Sequence, residues 1–326
     1  MNLLEVKDLE THFFSRAGVA KAVDKVSFNL EKGEILGVVG ESGCGKSVTA
    51  MSILQLVKSP PGKIVGGEVL FEGQNLLALS EEEIEKVRGN RISMIFQEPM
   101  TSLNPLFTVG EQIMEPLRQH RGMDKNAAKA EAVKLLTDVG IPLPEERVDE
   151  YPNALSGGMR QRVMIAMALC CRPEILIADE PTTALDVTIQ AQILELMKDL
   201  RDDIGTSIIM ITHDLGVVAE LCERAVVMYC GNIIESGAVE EIFKHPAHPY
   251  TQGLLKAIPK LTDDSNSKLY NIRGSVPNLM DLPKGCKFAN RCDCCMDQCK
   301  TSMPDETFVS KGHMVRCFRN GGCENE

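Results

Sequence analysis

Residues 35–47 read Ile35-Leu36-Gly37-Val38-Val39-Gly40-Glu41-Ser42-Gly43-Cys44-Gly45-Lys46-Ser47. The apolar run at the start fits a buried parallel strand. The eight residues after it match G-x-x-x-x-G-K-[ST], and Val48–Val57 continues with a helical pattern. Strand, loop and helix in that order make an anion cradle. The glycines let backbone N–H groups turn inward, and the helix N-terminus adds its positive dipole end. Lys46 would reach the β- and γ-phosphates of a nucleotide, and the Ser47 hydroxyl would ligate Mg²⁺. Glu41, Ser42, Gly43, Cys44 and Val48 line the same cradle. The motif by itself specifies a nucleoside triphosphate and not the use made of it.

Ile175-Leu176-Ile177-Ala178-Asp179-Glu180 supplies a second half: an apolar strand ending in two carboxylates. Asp179 would hold Mg²⁺, and Glu180 would polarise the attacking water. Further strands are expected at Leu3–Val6, Val26–Leu30, Glu68–Phe71, Ile92–Phe96, Ser207–Thr212, Ala225–Tyr229 and Asn232–Glu235. The fold class is therefore α/β. The N-terminal strands, separated by turns, predict an antiparallel β side sheet. Residues 99–172 turn helical, most clearly over Ala127–Val139, and predict an inserted helical subdomain. Composition shifts near Pro246, which places one domain at 1–258 and a small cysteine-rich module at 259–326.

The bulk numbers restrict the function classes. The chain has 326 residues, 44% hydrophobic and 25% charged, with a net charge of −11. That acidity argues against a nucleic-acid partner, because there is little counterion release to gain. There is no run of 18 apolar residues and no basic region before an apolar core at the start, so neither a membrane span nor a signal segment is expected. Twelve cysteines in a chain kept in the cytoplasm are not a disulfide framework. Seven of them fall in the last 41 residues, which points to a metal or cluster.

Leu155-Ser156-Gly157-Gly158-Met159-Arg160-Gln161-Arg162 opens an apolar helix and forms a second anion-binding helix N-terminus. One chain does not need two such ends for one nucleotide, so Ser156, Gly157 and Gly158 fit an ATP held by another subunit. Here the sequence resembles the ABC ATPase family, whose signature loop reads LSGGQ; Met159 replaces the Gln. The resemblance implies that Gln97 touches Mg²⁺ and senses a transmembrane partner, that Asp186 lies in the loop crossing a dimer interface, and that His213 contacts the γ-phosphate. It implies an aromatic stack on adenine from Phe13 or Phe14. Two ATP molecules would join two such subunits, and hydrolysis would let them part. Cys44, a thiol at a helix N-terminus, is expected to have a lowered pKa and to be reactive, although its position in the loop is one that varies freely.

Asp149-Glu150-Tyr151-Pro152, Phe96–Pro105, Pro181–Leu194 and His248-Pro249-Tyr250-Thr251 narrow the resemblance to the dipeptide/oligopeptide importer ATPases. Membership implies two permease subunits, a second homologous ATPase, an extracytoplasmic peptide-binding protein and a peripheral place on the cytoplasmic face of the membrane. Residues 98–107 would lie near the groove that receives a permease helix. Nickel, glutathione and some sugar importers share this ATPase type. Soluble ABC ATPases that act on nucleic acid or ribosomes carry two such domains or a long coiled coil, and neither pattern is present. The tail resembles the same importers, in which Cys286, Cys292, Cys299 and Cys317 occupy positions that bind a [4Fe-4S] cluster. Four thiolates at long, irregular spacings suit a cubane. Cys292-x2-Cys295 and Cys295-x3-Cys299 keep Zn²⁺ open, and simple reduced thiols remain a third reading. Cys294, Cys295 and Cys323 exceed the family pattern.

Overall fold

A computed structural model describes residues 2–97, 102–182, 187–258 and 270–319. In chain order the strands are β1 (Asn2–Ser15), β2 (Gly18–Glu31), β3 (Ile35–Val39), β4 (Gly62–Phe71), β5 (Gln74–Asn75), β6 (Ile92–Ile95), β7 (Ile175–Asp179), β8 (Ser207–Thr212), β9 (Arg224–Tyr229), β10 (Asn232–Ala238), β11 (Thr307–Ser310) and β12 (His313–Val315). Three of the expected strands, β3, β7 and β8, occur at the expected bounds, and every residue in them is buried. A strand buried on both faces has apolar side chains pointing both ways, which is why the central runs of these strands show no alternation. Burying each Ile, Leu or Val side chain contributes about 1.5–3 kcal/mol.

The chain divides into two compact units. One comprises residues 2–29, 35–77 and 212–326. Its antiparallel side sheet has the order β2-β1-β4-β5, with Leu4 opposite Phe71 and Phe13 opposite Gly62. The expected strands at Leu3–Val6, Val26–Leu30 and Glu68–Phe71 are ends of these longer ones. A second set of strands in this unit runs β3-β9-β10-β12-β11. β3 and β9 are parallel, with Leu36 opposite Arg224 and Val39 opposite Val227, while β9, β10, β12 and β11 are antiparallel neighbours. The sequence did not disclose β11 and β12, nor the two-residue β5. Among residues 270–319 the cysteine-rich segment thus adds strands to β10. His313 Nε2 lies 2.7 Å from Glu235 Oε1, both buried, and Glu235 also accepts the N–H groups of Ala247 and His248. The expected boundary after residue 258 meets residues 259–269, outside the described residues.

The other unit comprises residues 30–34 and 78–211. β8, β7 and β6 are successive parallel neighbours, with Ile92 opposite Ile175 and Ile175 opposite Ser207. Between β6 and β7 run helices Val109–Arg121, Lys125–Asp138, Pro144–Arg147 and Gly157–Leu169. Thr108 caps the first of these helices in a reciprocal box with Glu111, and Asp124 caps the second through the N–H groups of Asn126 and Ala127. Residues 99–101 of the expected subdomain lie outside the described residues. No helix among the described residues is long and apolar enough to cross a membrane.

Candidate nucleotide site and cysteine segment

The phosphate loop lies between β3 and helix Lys46–Ile53. Gly40 has φ 153°, and a Cβ there would stand 2.3 Å from the Met228 carbonyl oxygen. Gly45 has φ 107°, and its Cβ would meet the Ala22 carbonyl oxygen at 2.3 Å. Only glycine fits either place. The buried Lys46 amine donates to the carbonyl oxygens of Gly40 at 2.7 Å and Glu41 at 3.1 Å, which holds it inside the loop. Ser42 and Gly43 are exposed, while Ser47 and Val48 are half-buried at the start of the helix. The helix is tied to the side sheet where Thr11 and Ser52 hydroxyls meet at 2.8 Å.

Cys44 differs from expectation. It is 1% exposed, and burial pushes its thiol pKa up, against the favourable charge of Lys46 and nearby N–H groups. Desolvation of a thiolate outweighs the helix end at this position. On β1, Phe14 is 47% exposed, whereas Phe13 is half-buried and a Cβ on Gly62 would come within 3.0 Å of its ring. His213, in the same unit, is exposed just after β8.

In the other unit β7 delivers a buried Asp179, and Glu180 follows at φ 47°. A left-handed conformation at a non-glycine residue costs about 1–2 kcal/mol. It is held by a bond from the Glu180 N–H to the Ile211 carbonyl at 2.9 Å. The Glu180 carboxylate accepts a bond from Gln97 Nε2 at 2.9 Å, so the structure brings these two expected site residues together. Ser156 caps helix Gly157–Leu169, its hydroxyl accepting from the Met159 N–H, and a Cβ on Gly157 would touch nothing. Gln161, to which the sequence reading gave no role, is buried and donates to the Pro181 carbonyl at 2.5 Å. It ties the signature helix to the turn after Glu180. Asp186 lies outside the described residues.

Cys286, Cys292, Cys294, Cys299 and Cys317 line one cavity, together with His248, Phe288 and Pro304. All four expected ligands are there. Burial raises the Cys286 thiol to about 12 and the Cys292 thiol to about 11, and the neighbouring cysteines add to both shifts. Cys286, Cys292, Cys295, Cys299 and Cys317 are not disulfide-bonded, whereas Cys294 takes part in a disulfide, which the sequence did not predict. Cys323 lies outside the described residues.

Comparison with known proteins places these features in a family. Residues 23–183 match the "ABC transporter" family model, and residues 234–299 match "Oligopeptide/dipeptide transporter, C-terminal region". The chain is 54% identical over 316 residues to the oligopeptide transport ATP-binding protein AppD of Bacillus subtilis, covering 97% of this chain and 96% of AppD. It is 52% identical over 323 residues to the probable peptide ABC transporter ATP-binding protein y4tR of Sinorhizobium fredii, covering 99% and 96%. Among solved structures it resembles a dimeric post-hydrolysis state of the ATP-binding cassette MJ0796 bound to ADP and Pi. That match has a TM-score of 0.66 and 30% identity, and covers 72% of this chain and 98% of the other. The chain belongs to the ATP-binding subunits of ABC transporters, in their oligopeptide and dipeptide branch.

Proposed function

We propose that this chain binds and hydrolyses ATP to power an ABC importer of di- and oligopeptides. The observation that carries the reading is the union, in one chain, of a phosphate loop closed around Lys46 with an oligopeptide-type C-terminal region. Lys46 neutralises the β- and γ-phosphates. Ser47, Asp179 and Gln97 provide oxygen ligands for Mg²⁺. Glu180 takes the proton of the attacking water, and its contact with Gln97 holds the carboxylate before substrate arrives. His213 donates to the γ-phosphate as charge develops there. Phe14, the more exposed of the two phenylalanines, offers its face to adenine in preference to Phe13.

Ser156, Gly157 and Gly158 act on the ATP of a second, homologous ATPase, and Asp186 crosses to the same partner. The open space over Gly157 supports this reading. Two permease subunits stand above the pair, on the cytoplasmic face of the membrane, and an extracytoplasmic binding protein delivers the peptide. A cavity of about 580 Å³ beside helix Val109–Arg121, lined by Phe107, Met114, Glu111 and Arg118, supports a permease contact next to residues 102–107. The exposed Leu106 and Phe107 give that contact apolar area to bury.

The cavity shared by Cys286, Cys292, Cys299 and Cys317 fits a [4Fe-4S] cluster in its thiolate donor set. When bound, such a cluster offsets the charge of buried thiolates and cross-links the segments that carry them. The domain division that goes with this reading is an ATPase at 1–258 and a cysteine-rich module at 259–326.

Deletion of the gene, with complementation by the wild-type chain or Lys46→Ala, tests the function. Uptake of labelled tripeptides is lost on deletion and returns only with the wild type. Unchanged peptide uptake with loss of nickel, glutathione or sugar uptake would contradict the cargo.

A further inference from the structure

Glu41 is an awkward residue for a phosphate loop. Its carboxylate stands one residue inside a cradle built to receive a polyanion, and a free carboxylate there repels the ligand. The structure shows what holds it. Arg291, from the short turn Ala289–Arg291 in the cysteine segment, grips Glu41 with both prongs of its guanidinium, at 2.6 and 3.0 Å. The arginine side chain is 4% exposed and the glutamate 31%. Such a fork is the strongest geometry available to an ion pair, and its planarity fixes direction as well as distance.

The surroundings fix the arginine in turn. Its Nε donates to the Arg273 carbonyl at 3.0 Å, and its Nη1 lies 3.3 Å from the Tyr229 hydroxyl. Its Cζ stands 5.8 Å from the Tyr229 ring centre and 5.9 Å from that of Phe288. Tyr250, packed on both rings, completes the grip by accepting the Glu41 N–H at 2.8 Å through its hydroxyl. Four residues before Arg291, Lys287 donates to the Cys230 carbonyl and to Asp24 Oδ2, each at 2.9 Å. The residue after Cys230 is Gly231, whose N–H donates to the Cys44 carbonyl inside the loop. The cysteine segment therefore reaches the phosphate loop at its second residue and at its fifth.

We infer that Arg291 is a positioning residue of the ATP site, which neutralises Glu41 and holds its carboxylate away from the incoming phosphates. The inference rests on the reading that residues 40–47 bind ATP. It assigns to the cysteine segment, through Arg291, a part in nucleotide affinity. Cys286 and Cys292 bracket the stretch that carries Lys287 and Arg291, so whatever fixes those two cysteines also fixes the clamp.

Removing one partner of a half-buried ion pair leaves the other charge uncompensated, whereas removing both restores neutrality. That asymmetry separates a charge-positioning role from a merely structural one. MgATP and MgADP affinities of the purified full chain are to be measured by calorimetry for wild type, Arg291→Gln, Glu41→Gln and the double variant. Arg291→Gln should weaken MgATP by about tenfold, a change of about 1.4 kcal/mol, and MgADP by less, because ATP carries more charge. Glu41→Gln in the Arg291→Gln background should restore affinity to within about threefold of wild type. Unchanged affinity in Arg291→Gln, or a double variant as weak as that single one, would overturn the inference. If Arg291→Gln does not fold, Arg291→Lys carries the test: it keeps the charge, loses the fork, and should show weaker MgATP binding that Glu41→Gln relieves. Wild-type affinity in Arg291→Lys would then count against the inference. A wild-type chain that binds no MgATP would instead refute the functional reading beneath it.

Discussion

Glu180, the proposed general base, is fixed at both its backbone and its carboxylate. Its backbone is held in a left-handed conformation beside the buried Asp179, and its carboxylate is already engaged by Gln97. Strain of that kind persists only where surrounding structure fixes it. Cys44 teaches the opposite lesson about local rules. A helix N-terminus lowers a thiol pKa when the thiol can reach water, and this one cannot. Cys44 in the folded chain should therefore resist iodoacetamide at neutral pH with or without ATP, as followed by peptide mass. Fast labelling that ATP suppresses would contradict this. Gln161→Ala should cost about 1–3 kcal/mol in urea unfolding, because the Pro181 carbonyl loses its buried donor. The phosphate-loop residues were legible because their chemistry is contiguous in sequence. Arg291 and Tyr250 were not, since their partner Glu41 is 250 and 209 residues distant, and no local spacing encodes such a contact.

Among the elements, the strands that read best are those buried on both faces. β3, β7 and β8 are built around apolar runs that need burial, Ile35–Val39, Ile175–Ala178 and Ile208–Ile211, and those runs mark them in the sequence. β11 and β12 escaped notice for a physical reason. They are short, and Phe308 on β11 is 70% exposed; β12 is held by pairing with β10, and β11 by pairing with β12, not by a pattern of their own. Their consequence is that the cysteine segment is anchored by β12 on β10 and by the buried His313–Glu235 contact. Cys286, Cys292, Cys294, Cys299 and Cys317 of that segment share one cavity. Anaerobically purified chain should be brown and carry about four iron atoms. Cys286→Ser or Cys317→Ser should abolish the colour and lower the thermal midpoint. Stoichiometric zinc without visible absorbance would contradict the cluster.

For the whole molecule, an ATPase that performs work needs hydrolysis to be separable from binding. The sequence disclosed both halves of that machinery as motifs, and the family comparisons named the apparatus it belongs to. The identity of the cargo was not legible from chemistry, because no residue of an ATPase subunit need touch it. The clamp between the cysteine segment and the phosphate loop emerged only from tertiary contacts. The proposed mechanism assigns binding to Lys46 and its loop, so Lys46→Ala should remove MgATP affinity itself. The proposed mechanism assigns turnover to Glu180. The most direct test is steady-state phosphate release from MgATP by the purified chain, wild type against Glu180→Gln, with ATP affinity measured alongside. Glu180→Gln should keep its affinity and lose turnover by about 100-fold or more. Glu180→Gln turning over at the wild-type rate would contradict the account.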